Sequence, residues 1–157
     1  MNAQDKSGFF PAVHQIGYAV RDLDAALRHY QHLTGPAAPV NRFEVVLDRS
    51  NGYRYLGEEA ACRLDIATIA APHMDFEFIQ VLEGDHPARD YLARHGDGIN
   101  HLGLYLNELG PLKDQILGNG GRIINEGSFE IGAGRRGVFA YMQVAPSVYP
   151  LYELLQM

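Results

Sequence analysis

The chain contains few of the features that mark extracellular, membrane-embedded or nucleic-acid-binding proteins. Cys62 is its only cysteine, which excludes an internal disulfide and a zinc site made of cysteines. No apolar run reaches the roughly 18–20 residues of a membrane-spanning helix, and the polar start of the chain has no signal-peptide segment. Basic residues are scattered and the net charge is −6, so nucleic acid is not an expected partner. We therefore expect a cytoplasmic protein.

Two short apolar segments begin alike, although they lie far apart in the chain. His14–Val20 and Gly98–Leu106 each contain polar residues followed by an aliphatic residue, a glycine and further apolar residues. Each is followed by an acidic or polar residue and a helix-like stretch, for which Asp22 and Asn107 are the predicted N-caps. In this comparison Gln15, rather than His14, corresponds to His101.

A second repeated pair lies at the end of each half. Phe76–Gln80 and Tyr152–Gln156 both read aromatic, Glu, two apolar residues, Gln. Since repeated sequence implies repeated structure, each half is predicted to be a strand, a helix and three further strands. The fold class is therefore α+β, with two βαβββ modules paired about a pseudo-twofold axis.

The 157 residues suit one domain whose halves share a core. We predict a disordered leader over residues 1–10 and a single domain over residues 11–157. Within this domain the first module covers residues 12–83, the connector covers 84–97 and the second module covers 98–157.

Four polar residues interrupt the apolar strands of the two motif pairs: Gln15, Glu77, His101 and Glu153. A buried carboxylate is costly unless it is paired, hydrogen-bonded or bound to a metal. Each residue alone also fits a solvent-facing strand position or a satisfied core position. The repeat, however, brings all four together, and the glycine two residues after Gln15 and after His101 leaves space beside each. Two carboxylates, an imidazole and an amide oxygen suit Ni²⁺, Co²⁺, Zn²⁺, Mn²⁺ or Fe²⁺.

These motifs resemble the vicinal oxygen chelate superfamily, which includes glyoxalase I, methylmalonyl-CoA epimerase, extradiol dioxygenases and bleomycin resistance proteins. The segments that carry the resemblance are Gln15–Gly17, Arg21–Ala26, Glu77–Gln80, Gly98–Gly103 and Tyr152–Leu155. The resemblance implies an eight-stranded, partly open β-barrel-like cleft with flanking helices, and a homodimer. It also implies one divalent metal ion bound by Gln15, Glu77, His101 and Glu153.

One branch of this superfamily is similar over a longer stretch. Ile79–Pro87 and Gly96–Ile99 look like methylmalonyl-CoA epimerase, which implies proton abstraction beside a thioester carbonyl through a metal-stabilised enolate. In this interpretation Glu153 is both ligand and base, and Asp65 is the second base. Asp65 equally fits a solvent-facing strand position. Gln15 stands where the family usually has histidine. Glyoxalase I-like enzymes are similar in having glutamine there, whereas extradiol dioxygenases have histidine, so Gln15 counts against an extradiol dioxygenase.

The expected function is thus a metal-dependent isomerase or lyase, epimerase-like or glyoxalase I-like. The substrate would be a small oxygen-chelating molecule, with CoA and glutathione thioesters as the candidate classes. The alternative is a non-catalytic protein of the same fold that sequesters an antibiotic. Tyr141 fits either a substrate contact or a core position. Arg135 and Arg136 fit either a substrate contact or a solvated loop, and His86, in the connector, is assigned no role.

Overall fold

A computed structural model of the chain describes residues 11–35, 39–132, 134–145 and 149–157, and the predicted leader over residues 1–10 lies outside these ranges. The described part contains three helices: α1 (Leu23–Thr34), α2 (Pro87–His95) and α3 (Gly110–Gly118). Its strands are β1 (Gln15–Ala19), β2 (Val40–Leu47), β3 (Arg54–Tyr55), β4 (Glu58–Glu59), β5 (Cys62–Ala70), β6 (Asp75–Gly84), β7 (Gly98–Leu106), β8 (Arg122–Glu130), β9 (Arg136–Gln143) and β10 (Leu151–Gln156). None of the described helices is long and apolar enough to cross a bilayer.

All ten strands form one sheet in the order β2-β5-β6-β1-β7-β10-β9-β8-β3-β4. β1 and β7 pair antiparallel at its centre. Outward from this pair each half adds its last strand, then its third, then its second, and the last strand runs parallel to the first. The predicted α+β fold with two βαβββ modules is confirmed. The two-residue strands β3 and β4 are additional to the predicted eight.

The short connection from β2 to β3 makes the sheet curl. β2 lies at one edge and β3 lies eight strand positions away, which is about 38 Å across a flat sheet. Seven peptide steps from Leu47 to Arg54 reach at most about 25 Å. The sheet therefore curves into a cup, and Asn51 closes it by accepting a hydrogen bond through its backbone oxygen from Ser128 Oγ at 2.8 Å.

The outer face of the cup carries α1 on the first half and α3 on the second. Leu23 and Leu27 of α1 pack in one buried cluster, and Leu109 and Ile116 pack in the equivalent cluster around α3. Asp22 caps α1 by accepting from the Ala25 N–H at 2.9 Å, as predicted.

The repeated glutamine explains how both helices are anchored to the sheet. Gln80 Oε1 accepts from the Leu23 N–H and Gln156 Oε1 accepts from the Leu109 N–H, each at 2.9 Å. The prediction that Asn107 caps α3 is wrong, because this helix begins at Gly110 after a residue with no side-chain cap. Gln156, from a distant strand, satisfies a free N–H at that end instead.

Strand alternation then decides which residues face the interior of the cup. In β6, Phe76 and Phe78 pack outward beneath α1, whereas Ile79 belongs to the inner cluster. Glu77 shares the inner face with Ile79, because side chains two residues apart lie on the same side of a strand. By the same alternation Glu153 lies on the inner face of β10. The repeat thus points one carboxylate inward and one glutamine outward in each half.

Two glycines with positive φ allow a test of how tightly Gly84, at the end of β6, packs against Ala61. Gly84 has a φ of 81°, and a Cβ there would lie 2.0 Å from the Ala61 carbonyl oxygen, whereas Gly52 has a φ of 66° with open space around it. We expect Gly52→Ala to lower the free energy of unfolding by about 1 kcal/mol through backbone strain alone. Gly84→Ala should lower it by about 3 kcal/mol or more, because overlap adds to the strain. Urea unfolding measures both, and equal losses would contradict this packing.

Candidate functional site

His101 lies at the centre of the sheet, on the inner face of β7, and its side chain is fully buried. Its Nε2 lies 3.3 Å from Glu77 Oε2 and 3.2 Å from Glu153 Oε2. β6, the parallel neighbour of β1, supplies Glu77, and β10, the parallel neighbour of β7, supplies Glu153. Ligand atoms of the three side chains all lie within 4.8 Å of one another.

Gln15 and His101 are accommodated by each other's glycines. In the β1–β7 register Gln15 lies opposite Gly103 and Gly17 lies opposite His101. A Cβ at Gly17 would lie 1.8 Å from Cε1 of the His101 ring, and one at Gly103 would lie 2.6 Å from Gln15 Oε1. The sequence led us to expect that these glycines leave space for a ligand. The structure shows that they make room for the polar side chain of the opposite strand.

Three of the converging atoms are buried without a hydrogen-bond partner: Gln15 Oε1, His101 Nε2 and Glu153 Oε2. The contacts of Nε2 with the two carboxylates are short but lack hydrogen-bond geometry. A buried polar atom that remains unpaired costs free energy. The atoms of His101 and Glu153 lie beside one another, and Gln15 lies on the strand paired with that of His101, so coordination of a cation would satisfy them.

The other nitrogen of the His101 ring contacts Asn100. Nδ1 lies 3.4 Å from Asn100 Oδ1, and both residues are buried. A register shift between Gly17 and Tyr18 in the pairing of β1 with β7 leaves Asn100 as the extra residue of a bulge. With Asn100 Oδ1 as acceptor, a proton lies on Nδ1, and Nε2 is the ring nitrogen that faces the carboxylates and could bind a metal ion.

The electrostatics of the cluster favour positive charge at its centre. Burial lowers the pKa of His101, but the adjacent Glu153 and Glu77 outweigh this effect and raise it to about 9. Burial also raises the pKa of Glu153 above its ordinary value, while His101 opposes that change. The carboxylates thus stabilise a proton on Nε2, and they would stabilise a bound cation at the same place.

The donor set fits a divalent metal ion. Gln15, Glu77, His101 and Glu153 offer oxygen and nitrogen atoms without sulfur, which suits Zn²⁺, Mn²⁺, Co²⁺, Ni²⁺ or Fe²⁺. Four protein ligands around a six-coordinate ion leave two positions for other oxygen atoms. These residues could therefore hold a metal that remains open to a small molecule.

A cavity of about 410 Å³ opens beside this cluster. Its apolar walls include Phe43, Val45, Leu47, Phe129, Phe139 and Leu155. Its carboxylates are Glu44, Glu77, Glu130 and Glu153, and none of the described side chains that line it belongs to lysine or arginine. The volume suits a small organic molecule or the reacting end of a larger one.

Tyr141 lies between the cluster and a second imidazole. Its ring packs at 4.9 Å against His101 and at 5.6 Å against His86, both edge to face. It belongs to the inner core and also lines the cavity, so both positions considered from the sequence apply. Burial raises the pKa of Tyr141 well above its ordinary value, which keeps its hydroxyl protonated.

Asp65 is not brought to the site. Leu64 and Ile66 of β5 pack in the inner cluster, so Asp65, between them, faces the outer side with Ala67. There Arg42 binds the Asp65 carboxylate through two nitrogens at 3.1 and 2.7 Å. The ion pair satisfies the carboxylate, which also lies outside the cavity lining.

Arg135 and Arg136 are exposed at the β8–β9 connection and do not line the cavity. Arg136 Nη2 donates to the Ser50 carbonyl at 3.4 Å, which is a long contact. His14 points away from the cluster, because its Nδ1 accepts from the Tyr105 N–H at 3.2 Å and its ring stacks on Tyr105.

Sequence reasoning missed two residues of the site, His86 and Asn100. His86 precedes Pro87, and a polar residue before a proline that opens a helix is a signal for an N-cap. Asn100 carries no such signal, because the bulge that turns it inward does not appear in the residue pattern.

Solved structures with the same fold extend over nearly the whole chain. Methylmalonyl-CoA epimerase from Mycobacterium tuberculosis shares 22% identity over 92% of this chain and 86% of its own, with a TM-score of 0.59. An epimerase in complex with methylmalonyl-CoA and ammonium shares 17% identity over 94% and 95%, with a TM-score of 0.61. A Streptomyces coelicolor epimerase variant in complex with 2-nitronate-propionyl-CoA shares 18% identity over 94% and 98%, with a TM-score of 0.56. At these identities the likeness shows the fold alone.

No curated protein sequence matches the chain. The family model described as the glyoxalase/bleomycin resistance protein/dioxygenase superfamily matches residues 14–139. This match includes β1, β6 and β7, and therefore Gln15, Glu77 and His101. The chain belongs to the glyoxalase/bleomycin resistance protein/dioxygenase superfamily.

Proposed function

We propose that the chain is a divalent-metal-dependent isomerase or lyase that acts through an enolate on a small oxygen-chelating substrate. The observation that carries this proposal is the convergence of Glu77, His101 and Glu153 beside a cavity, with unpaired atoms on His101 and Glu153. Gln15 completes the proposed ligand set with its unpaired Oε1. When bound, a divalent ion would act as a Lewis acid that lowers the free-energy cost of negative charge on substrate oxygens.

We assign the other roles in the reaction to side chains that line the cavity. Glu153 is the proposed proton acceptor, because it lies at the wall of the cavity and its carboxylate has a second oxygen besides the Oε2 that would bind the metal. Tyr141 lies opposite Glu153 in the β9–β10 register and offers a protonated hydroxyl on the same wall. The apolar walls would exclude water from the reacting carbon, which strengthens electrostatic interactions inside. Asp65 is not part of this proposal, since it is paired with Arg42 on the other face.

The substrate class that we favour is an acyl-CoA thioester, with epimerase-like chemistry. Support comes from the solved relatives, which are epimerases in complex with methylmalonyl-CoA and with 2-nitronate-propionyl-CoA. Glyoxalase I-like chemistry on a glutathione thioester precursor uses the same kind of centre and is the second candidate. From the family we also expect a homodimer, and from the composition of the sequence a cytoplasmic location.

A non-catalytic antibiotic-binding protein of this fold is the competing hypothesis. The apolar walls of the cavity would suit such a role, because burial of apolar ligand surface contributes to affinity. Buried, unpaired ligand atoms on Gln15, His101 and Glu153 favour the enzyme, since sequestration does not require them. Metal content and proton exchange distinguish the two functions.

The first prediction concerns which residue of β1 binds the metal, Gln15 or the neighbouring His14. We expect the wild-type protein to bind one Co²⁺ per chain, and Gln15→Ala to weaken this affinity about tenfold or more by removing a ligand. His14→Ala is the matched control, because the neighbouring histidine points away from the centre, and it should leave the affinity unchanged. Isothermal titration with Co²⁺ measures both variants. The reverse order of the two effects would show that the alignment of the halves is shifted by one residue.

The second prediction concerns the base. Wild-type protein loaded with Co²⁺ should incorporate solvent deuterium into methylmalonyl-CoA, and Glu153→Gln should slow this exchange by a factor of about 100 or more. Asp65→Asn is the control and should retain the wild-type rate. Mass spectrometry follows the incorporation.

Exchange that depends on Asp65 rather than Glu153 would overturn the assignment of the base. Absence of exchange combined with turnover of a hemithioacetal would favour glyoxalase chemistry. If purified protein binds no divalent metal and catalyses neither reaction, the binding-protein hypothesis stands instead.

A further inference from the structure

His86 is a buried histidine in the connector between the two halves, and only 2% of its surface is exposed. It is the N-cap of α2, where its Nδ1 accepts a hydrogen bond from the Ala88 N–H at 3.2 Å. Helix capping uses one ring nitrogen only. Serine or asparagine would cap this helix at least as well, so the cap by itself does not require an imidazole.

The capping contact determines the protonation of the ring. Because Nδ1 accepts a hydrogen bond, it carries no proton, and the proton of the neutral ring must lie on Nε2. Burial, with a further contribution from the nearby charge of His101, lowers the pKa of His86 to about 3. The His86 ring is therefore neutral, and its N–H lies on Nε2 because the Ala88 N–H at the start of α2 occupies Nδ1.

The donor nitrogen has no partner within the described protein. Nδ1 is the only ring atom of His86 with a hydrogen bond, yet Nε2 is not among the fully enclosed atoms that lack one. His86 also lines the cavity together with Glu77, Tyr141 and Glu153. A buried N–H without a protein partner, on a ring that forms a cavity wall, is available to a ligand in that cavity.

The position of His86 suits a ligand that also reaches the proposed metal centre. The Tyr141 ring contacts both His86 and His101, so one aromatic ring separates the two imidazoles. The other charged groups that line the cavity are carboxylates, which repel electron-rich oxygens. His86 and Tyr141, which pack beside the centre, can each donate to an acceptor oxygen.

We propose that His86 binds the substrate by donating a hydrogen bond from Nε2–H to a carbonyl or carboxylate oxygen. This inference rests on the proposed function, and it narrows the substrate class. The substrate carries, beyond the oxygens that reach the metal centre, an acceptor oxygen on its far side. A neutral N–H recognises that oxygen without placing a full positive charge beside the reacting carbon.

The test distinguishes the role of His86 as a hydrogen-bond donor to the substrate from its role as the N-cap of α2. His86→Asn retains a favoured capping residue, while its shorter side chain has no group at the position of Nε2. The probe is 2-nitronate-propionyl-CoA, the ligand of the Streptomyces coelicolor relative. Its affinity for Co²⁺-loaded protein is measured by isothermal titration, alongside Co²⁺ affinity and thermal stability. His95→Asn is the matched control, because His95 lies at the exposed end of the same helix and does not line the cavity.

We expect His86→Asn to bind the probe about tenfold more weakly or worse, as for loss of a hydrogen bond to a charged group. Co²⁺ affinity should stay at the wild-type value, whereas thermal stability should fall because the shorter side chain leaves space beside Tyr141. His95→Asn should match wild type in its affinity for Co²⁺ and for the probe. Unchanged probe affinity in His86→Asn, with Co²⁺ still bound, would show that His86 only caps α2 and would overturn the proposal. A merely structural role would lower the stability without this selective loss.

Failure of the proposed function gives a different result, because the wild-type protein would then bind no Co²⁺. In that case the same pair of variants is compared in metal-free protein. Weaker probe binding by His86→Asn there still supports the hydrogen bond. Equal binding, or no binding of the probe by wild-type protein, overturns it.

Discussion

The antiparallel pairing of β1 with β7 is the contact on which the site depends. In this register each strand presents a polar side chain opposite the glycine of the other, so Gln15 lies over Gly103 and His101 lies over Gly17. A side chain at either glycine would occupy the place of the opposing polar group. The two halves can thus bring an amide and an imidazole together at their junction only because both strands lack a side chain two residues further on. A shift of either strand by one residue would turn its polar group to the outer face.

The outer strands follow from that central pair. β6 and β10 run parallel to β1 and β7, and each points a glutamate inward while the glutamine three residues later anchors a helix outside. One short repeated segment thereby contributes to the site on one face and to the packing of α1 or α3 on the other. Because both functions depend on strand alternation, the inward direction of Glu77 and Glu153 is coupled to the seating of the helices.

The repeat made much of this predictable from the sequence. It identified the fold class, and it aligned Gln15 with His101 although His14 is the more obvious candidate. Asp65 shows where the pattern stops being informative. β5 is apolar on both faces, with Leu64 and Ile66 inside and Ala67 and Ile69 outside, so alternation alone does not reveal which face its polar residue shares. The cap of α3 was missed for another reason, because Gln156 supplies it from a strand 47 residues away.

Asn100 illustrates a further limit of periodicity and a reason for the local irregularity. Consecutive residues of a regular strand point to opposite faces, yet Asn100 and His101 are both buried and their side chains are in contact. The bulge in the pairing with β1 resolves this conflict, since it leaves Asn100 without an opposite residue and lets its Oδ1 approach the His101 ring. That contact holds a proton on Nδ1 and leaves Nε2 as the nitrogen that faces Glu77 and Glu153. A regular β7 would still place His101 on the inner face, but nothing in that strand would then determine which ring nitrogen faces the carboxylates.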